Sequence, residues 1–288
     1  MNKIIFPTDF SATANKAKEY ALYLAKKMTA TVHILHVVPN ILIDPANERF
    51  AATEVFPSIK QVSGLLDQFE TDHRLQQRFD QQVKYFETEG IECTTHVSFG
   101  SVSQQVNALA QKIDANLVVM GTNGATWLEH EVMGSNSYQV CHQSSIPVIT
   151  ARSYKEITPF DHVLLATDLN IENTVATYKQ AKKILNYFRF QLSFLFVNTP
   201  AEFLETSVIN KRFEQIKQEL GINNAQLLVY NSRYLQDGIL RVANHTKHLA
   251  LLVFGNHGYS RFREQIEYSI ADRVITSATM PVLSIKIK

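Results

Sequence analysis

The 288-residue chain carries one pattern written twice. Asp9, in Phe6-Pro7-Thr8-Asp9-Phe10, returns 159 residues later as Asp168, in Leu165-Ala166-Thr167-Asp168-Leu169, and His33 to Val38 is answered at the same offset by Leu192 to Val197. Towards the end of each copy the offset is 134: Gly121-x-x-Gly124 matches Gly255-x-x-Gly258, and Ile146-Pro147-Val148 matches Met280-Pro281-Val282. The two offsets differ by 25 residues, and the change falls between Val38 and Gly100. The first copy therefore holds extra chain in one connection rather than in its strands. A repeat of this kind means that one fold is built twice, so any architecture must satisfy both copies.

Inside a copy, short apolar runs alternate with helical faces. Lys3–Thr8, Val32–Val38, Cys93–Phe99, Leu117–Met120 and Pro147–Ala151 are expected strands. Ser11 is placed to cap a helix whose Ala14, Ala17, Tyr20, Ala21 and Leu24 share a face. Pro39 to Ser63 is irregular, with Pro45 and Pro57, and is expected to be mobile near Pro39 to Pro57. Leu65, Leu66, Phe69, Phe79, Val83 and Phe86 then mark a long amphipathic helix. Val106, Leu109, Ala110 and Ile113 mark a third helix, and Ser135–Gln143 a fourth. Strands alternating with helices predict an α/β chain with a mostly parallel sheet and right-handed crossovers. The expected domains are 1–152 and 161–288, joined by Ser153 to Phe160, a linker too short to let them part. A hydrophobic content of 45% suffices for two cores. Each copy ends in an edge strand, Pro147–Ala151 or Pro281–Lys286, whose backbone groups need a partner.

Composition removes several function classes. A formal charge of +1 without a run of like charges argues against a nucleic-acid partner. Cys93 and Cys141 stand far apart, outside any C-x-x-C pair, and are expected as buried, inert thiols rather than a disulfide or zinc site. The apolar run Leu249–Phe254 is far shorter than the roughly 18 residues that span a bilayer. Ile4 to Phe6 is too short for a signal-peptide core, so a cytoplasmic protein without a membrane partner is expected.

The run Leu117–Met120 stops at Gly121 and opens a loop spaced G-x2-G-x9-G-S, through Gly124 and Gly134-Ser135. Glycines let backbone N–H groups approach an anion, and a helix opening at Ser135 adds partial positive charge. The spacing is neither a Walker A loop nor G-x-G-x-x-G. It resembles the ATP-binding loop of the universal stress protein family, and Pro7-Thr8-Asp9-Phe10-Ser11 resembles that family's opening. The resemblance implies two tandem Rossmann-like (adenine nucleotide alpha hydrolase-like) domains, each a five-stranded, mostly parallel sheet with helices on both faces. It implies an ATP-binding protein of stress adaptation. Asp9 is then the adenosine-contacting carboxylate, Pro7 and Thr8 the wall beside the base, and Val37 the residue whose backbone meets the adenine edge. Met120, Gly121, Gly124, Gly134, Ser135 and Asn136 are the implied ribose and phosphate contacts. Family members commonly dimerise through the last strand, which implies that the two halves form an intramolecular pseudo-dimer; a homodimer of the chain is the further option.

The copies differ where the ligand is expected. Beyond nine intervening residues after Gly258 stands Tyr268 in place of Gly134, so a ring would fill the second site; Gly100 is likewise matched by Tyr234, and Asp114 by His248. One intact site, in the first domain, is expected. Between Gly121 and Asn136 no Lys or Arg occurs, and Glu129-His130-Glu131 either holds Mg2+ against phosphates or is a solvated face. With so little charge to neutralise a transferring phosphoryl group, no catalytic residue is assigned and no competent ATPase is expected. A nucleotide-free interaction scaffold and a slow ATPase timer remain the alternatives to a nucleotide-binding regulator.

Overall fold

The computed structural model describes residues 1–38, 71–122, 135–152, 157, 159–246, 248–257 and 264–287. The expectations for Pro39–Ser63, for Leu65, Leu66 and Phe69, and for most of the glycine loop lie outside these residues.

The first copy runs β1 (Asn2–Pro7), α1 (Ala12–Met28), β2 (Ala30–Val38), α2 (Thr71–Glu87), β3 (Cys93–Phe99), α3 (Val102–Ile113), β4 (Leu117–Gly121), α4 (Ser135–Gln143) and β5 (Val148–Ala151). The second runs β6 (His162–Thr167), α5 (Ile171–Leu185), β7 (Gln191–Asn198), α6 (Thr206–Leu220), β8 (Gln226–Asn231), α7 (Leu235–His245), β9 (Leu251–His257), α8 (Glu264–Ser277) and β10 (Val282–Ile287). Local chemistry sets the helix ends. Ser11 Oγ accepts from Ala14 N at 3.2 Å to cap α1, and Asn170 Oδ1 accepts from Asn173 N at 3.0 Å to cap α5.

Each copy has strand order 3-2-1-4-5 with parallel pairing, and the two join through their fifth strands into one ten-stranded sheet, β3-β2-β1-β4-β5-β10-β9-β6-β7-β8. The join is antiparallel: Leu283 faces Ile149, Val282 faces Thr150 and Ser284 faces Val148. At the repeat offset of 134, Leu283 is the counterpart of Ile149, Val282 of Val148 and Ser284 of Thr150. Leu283 thus faces its own counterpart, while Val282 and Ser284 face each other's counterparts, the register that a two-fold axis through Ile149 and Leu283 produces. Both side chains are fully buried. One core lies beneath α1, α2, α5 and α6 and a second beneath α3, α4, α7 and α8, and each passes through both copies. Phe160 of the linker, 1% exposed, adds an aromatic contact between copies, its centroid 5.9 Å from Tyr23 and 5.1 Å from Phe188.

Two repeat equivalences change and a third loses its link to the ligand. Val32 pairs with Ile4 whereas Leu192 pairs with Val163, so the second strands are offset by 160, not 159. The extra residue sits in the turn 186–190; a one-residue slip would have sent every side chain of β7 to the wrong core. Gly100 N donates to Val38 O at 2.9 Å and Ser232 N to Asn198 O at 3.1 Å, so Ser232 rather than Tyr234 takes the place of Gly100. Asp114 (φ 53°) and His248 (φ 59°) are both left-handed residues preceding β4 and β9, at the edge of the sheet opposite the glycine loop. Their difference has no bearing on a ligand there.

On β2 and β3, His33 Nδ1 and His96 Nε2 lie 2.9 Å apart, and burial lowers both pKa values from 6.5 to about 4. Each ring is neutral in the fold and takes its proton more readily unfolded, so stability is full above pH 6.5 and is lost as pH falls towards 4. Urea titrations across that window are expected to show this decline, and the double variant His33→Asn/His96→Asn is expected to flatten it. At the join, Leu283→Ala is expected to cost about 2–5 kcal/mol in the same assay, the range for emptying a buried leucine site.

Candidate functional site

In the order 3-2-1-4-5 the connections from β1 to β2 and into β4 leave on opposite faces, opening a crevice between β1 and β4 at their carboxyl ends. Two turns flank it. After β1, Thr8 N continues the ladder by donating to Leu35 O at 2.8 Å. Thr8 Oγ1 then accepts from Phe10 N at 2.9 Å and Asp9 Oδ1 from Ser11 N at 2.9 Å, which folds the chain back into α1 through a left-handed Phe10 (φ 61°). His36 Nδ1 donates to Thr8 O at 2.8 Å from β2, the only role a ring nitrogen can take against a carbonyl. Burial lowers the pKa of His36 further than its bond to Thr8 and the Asp9 charge raise it, so the ring is neutral and serves as a prop. The Phe10 ring lies 4.9 Å from that of His36 and 5.2 Å from Phe79, with the Arg78 guanidinium 5.8 Å from its centroid.

After β4, a Cβ added at Gly121 would meet Thr13 O at 2.7 Å and Thr13 Cγ2 at 2.9 Å. The glycine is therefore required by the approach of β4 to α1, whether or not a ligand is present. Ser137 Oγ donates to Gly121 O at 3.2 Å, tying the first turn of α4 to the end of β4. Thr122 N donates to Ala151 O at 3.2 Å, while its hydroxyl, in a residue 3% exposed, has no hydrogen-bond partner among the described residues.

The expected site residues distribute as follows. Pro7 and Thr8 are buried and Asp9 is exposed at the end of β1; Val37 is half-buried near the end of β2, opposite Ser98. The Met120 side chain is buried in the core with Val118 and Val140, so Met120 can face a ligand only through its main chain. Gly121 ends β4, Ser135 opens α4 and Asn136 is exposed beside it. Pro7, Thr8, Asp9, Val37, Met120 and Gly121 thus share the carboxyl edge of three adjacent strands; Gly124 and Gly134 lie outside the described residues. His36, Arg78, Thr122 and Ser137 were not foreseen. His36 adjoins Val37 and Ser137 adjoins Asn136, whereas Arg78 arrives from α2 with no local motif to announce it.

The second copy repeats the turn and alters its contents. Thr167 Oγ1 accepts from Leu169 N and Asp168 Oδ1 from Asn170 N, both at 2.9 Å, and Leu169 is left-handed (φ 57°). Asp168 Oδ2 is also held by Asn173 Nδ2 at 3.1 Å, where the first copy has Ala14 and no such donor. Phe196 stands at the position of His36, and position 268 lies inside α8. Gly255 is retained under a packing constraint of its own, since a Cβ there would meet Thr177 Oγ1 at 2.5 Å.

A sequence model of the universal stress protein family matches residues 1–152, more than half of the chain. The chain belongs to the universal stress protein family. Universal stress protein G of Salmonella typhimurium is 30% identical over 151 residues, covering 52% of this chain and 97% of that protein. A universal stress protein of known structure from Archaeoglobus fulgidus aligns over 99% of this chain and 98% of its own with a TM-score of 0.71 at 19% identity. A functionally unknown protein from Pseudomonas aeruginosa aligns over 99% and 92% with a TM-score of 0.65 at 13% identity. The last two show the fold, two Rossmann-like copies in tandem, over the whole chain. Among the described residues no helix is long and apolar enough to cross a membrane, and no cluster of three His, Cys, Asp or Glu is placed to hold a metal ion.

The packing role of Gly121 has a direct test. Gly121→Ala is expected to lower the ligand-free unfolding free energy by about 1–3 kcal/mol in urea titration, the usual cost of an overpacked contact. An unchanged midpoint would leave the glycine without a packing reason.

Proposed function

We propose that this universal stress protein family member is an ATP-binding regulator of stress adaptation, with its nucleotide site in the first copy and a second copy that serves the fold. The observation that carries the reading is the convergence of an exposed Asp9 and the Gly121–Thr122 turn on the crevice between β1 and β4. A carboxylate there can accept from an adenine amine or ribose hydroxyl, and the start of α4 offers backbone N–H groups to phosphate. The buried Thr122 hydroxyl, without a partner among the described residues, is a polar group that a ligand or water would complete. Pro7, Thr8, Val37 and the main chain of Met120 would border adenosine, and Gly121, Gly124, Gly134, Ser135 and Asn136 the ribose and phosphates. Arg78 supplies a cation near the β1 turn that the loop from Gly121 to Asn136 lacks.

The second copy lacks this chemistry for a reason independent of Tyr268. Its carboxylate is already bonded to Asn173, so a nucleotide would have to displace an internal contact. The two-fold register at β5 and β10 supports reading the pair of copies as an intramolecular pseudo-dimer, complete within one chain. Nucleotide bound across the β1 turn and α4 would favour one arrangement of that surface, and a partner that distinguishes the arrangements would sense occupancy.

Isothermal titration of the full chain with ATP is expected to give one site. Asp9→Ala should weaken binding about 10- to 100-fold, the worth of a charged hydrogen bond, while Asp168→Ala leaves it unchanged. Absence of binding, or loss of binding only in Asp168→Ala, would defeat the assignment.

A further inference from the structure

We propose that the free edge of β8 is a docking surface for a second copy of this chain, which adds its own β8 antiparallel across a two-fold axis. This inference is independent of the nucleotide reading, since it concerns the far end of the sheet.

β8 ends the strand order and, among the described residues, pairs only with β7, through Gln226 to Asn231 without a break in register. An end strand presents a row of unpaired N–H and C=O groups, which natural proteins shield with charge, proline, a bulge or a covering element. Within β8 itself those devices are missing among the described residues; the charges beside it are Arg233, just past Ser232, and Arg241 of α7, whose Nη1 donates to the Tyr230 hydroxyl at 3.5 Å. From Ile222 to Ser232 the sequence INNAQLLVYNS contains no charged residue and no proline. Val229 at the strand's centre is 47% exposed, Leu227, Leu228 and Tyr230 are half-buried, and Tyr234 just beyond is 51% exposed. At the opposite edge, β3 shows solvent an exposed, polar Thr94 rather than an exposed apolar residue.

The composition of β8 favours its own kind as occupant. A two-fold axis through Val229 sets Val229 of one copy opposite Val229 of the other, Leu228 opposite Tyr230, and Leu227 opposite Asn231. The most exposed apolar side chain of the strand, the β-branched Val229, is covered by its twin. The molecule already contains a join of this geometry, where Ile149 and Leu283 occupy the axis between β5 and β10. Repeating it at β8 would extend two ten-stranded sheets into one continuous sheet. A chain charge of +1 offers little repulsion against such an approach.

Sedimentation velocity of the full chain over a rising concentration series tests the proposal. The expected result is a shift from the 32.7 kDa chain mass towards twice that value. Val229→Lys, at an exposed position, should hold the chain mass throughout with an unchanged circular dichroism spectrum and melting temperature, while Thr94→Lys on the opposite edge should still double. In a Cys93→Ser background, Val229→Cys should form a covalent dimer under mild oxidation, because the axis brings the two thiols together. A wild-type chain that stays single at every concentration overturns the proposal. So does a doubled mass that survives Val229→Lys, or one lost in Thr94→Lys.

Discussion

The architecture depends on how two edge strands are satisfied. β5 has four residues and β10 six, and each would end its sheet with open backbone groups and an apolar face on either side. Their antiparallel pairing closes both edges at once, with Ile149 and Leu283 fully buried on the axis, and lets each hydrophobic core pass from one copy into the other. The linker aromatic Phe160, packed on Tyr23 and Phe188, reinforces the arrangement from one face. What two separate chains could achieve only at sufficient concentration is made unimolecular by an eight-residue linker, Ser153 to Phe160.

Freed from the need to be identical, the copies share backbone and differ in side chains. The turn after the first strand is the same in both: a Thr hydroxyl and an Asp carboxylate each accept a backbone N–H, around a left-handed Phe10 or Leu169. That turn belongs to the fold. The carboxylate's other neighbours are not shared. Asn173 holds Asp168, Ala14 offers Asp9 nothing comparable, and His36 props the first turn where Phe196 cannot. The two turns thus differ by these few side chains, without any change of chain path at the β1 and β6 ends.

Most of the fold was legible because parallel strands buried on both faces appear as unbroken apolar runs, and the glycine and capping residues punctuate them. Cys93–Phe99 and Ser135–Gln143 have the bounds expected from pattern alone. The repeat was legible as well, with its large gap between Val38 and Gly100, but a further one-residue insertion before β7 was not: the apolar runs of β2 and β7 match almost equally at offsets of 159 and 160, and only pairing with β1 and β6 separates them. Gly121 was legible as important for a reason that proves incomplete, since Thr13 of α1 demands it irrespective of anions. Arg78 and the Asn173–Asp168 bond were invisible, because neither lies in a motif and both acquire meaning only from three-dimensional neighbours.

On the proposed assignment, equivalent turns have unequal chemistry and nucleotide belongs to one copy. A crystal structure of the full chain grown with ATP tests it most directly. Nucleotide density is expected at the carboxyl ends of β1 and β4, with the Asp9 carboxylate within hydrogen-bonding distance of the adenosine and Asp168 still bonded to Asn173. Density beside Asp168 between β6 and β9, or a nucleotide in the first copy that leaves Asp9 untouched, would contradict it.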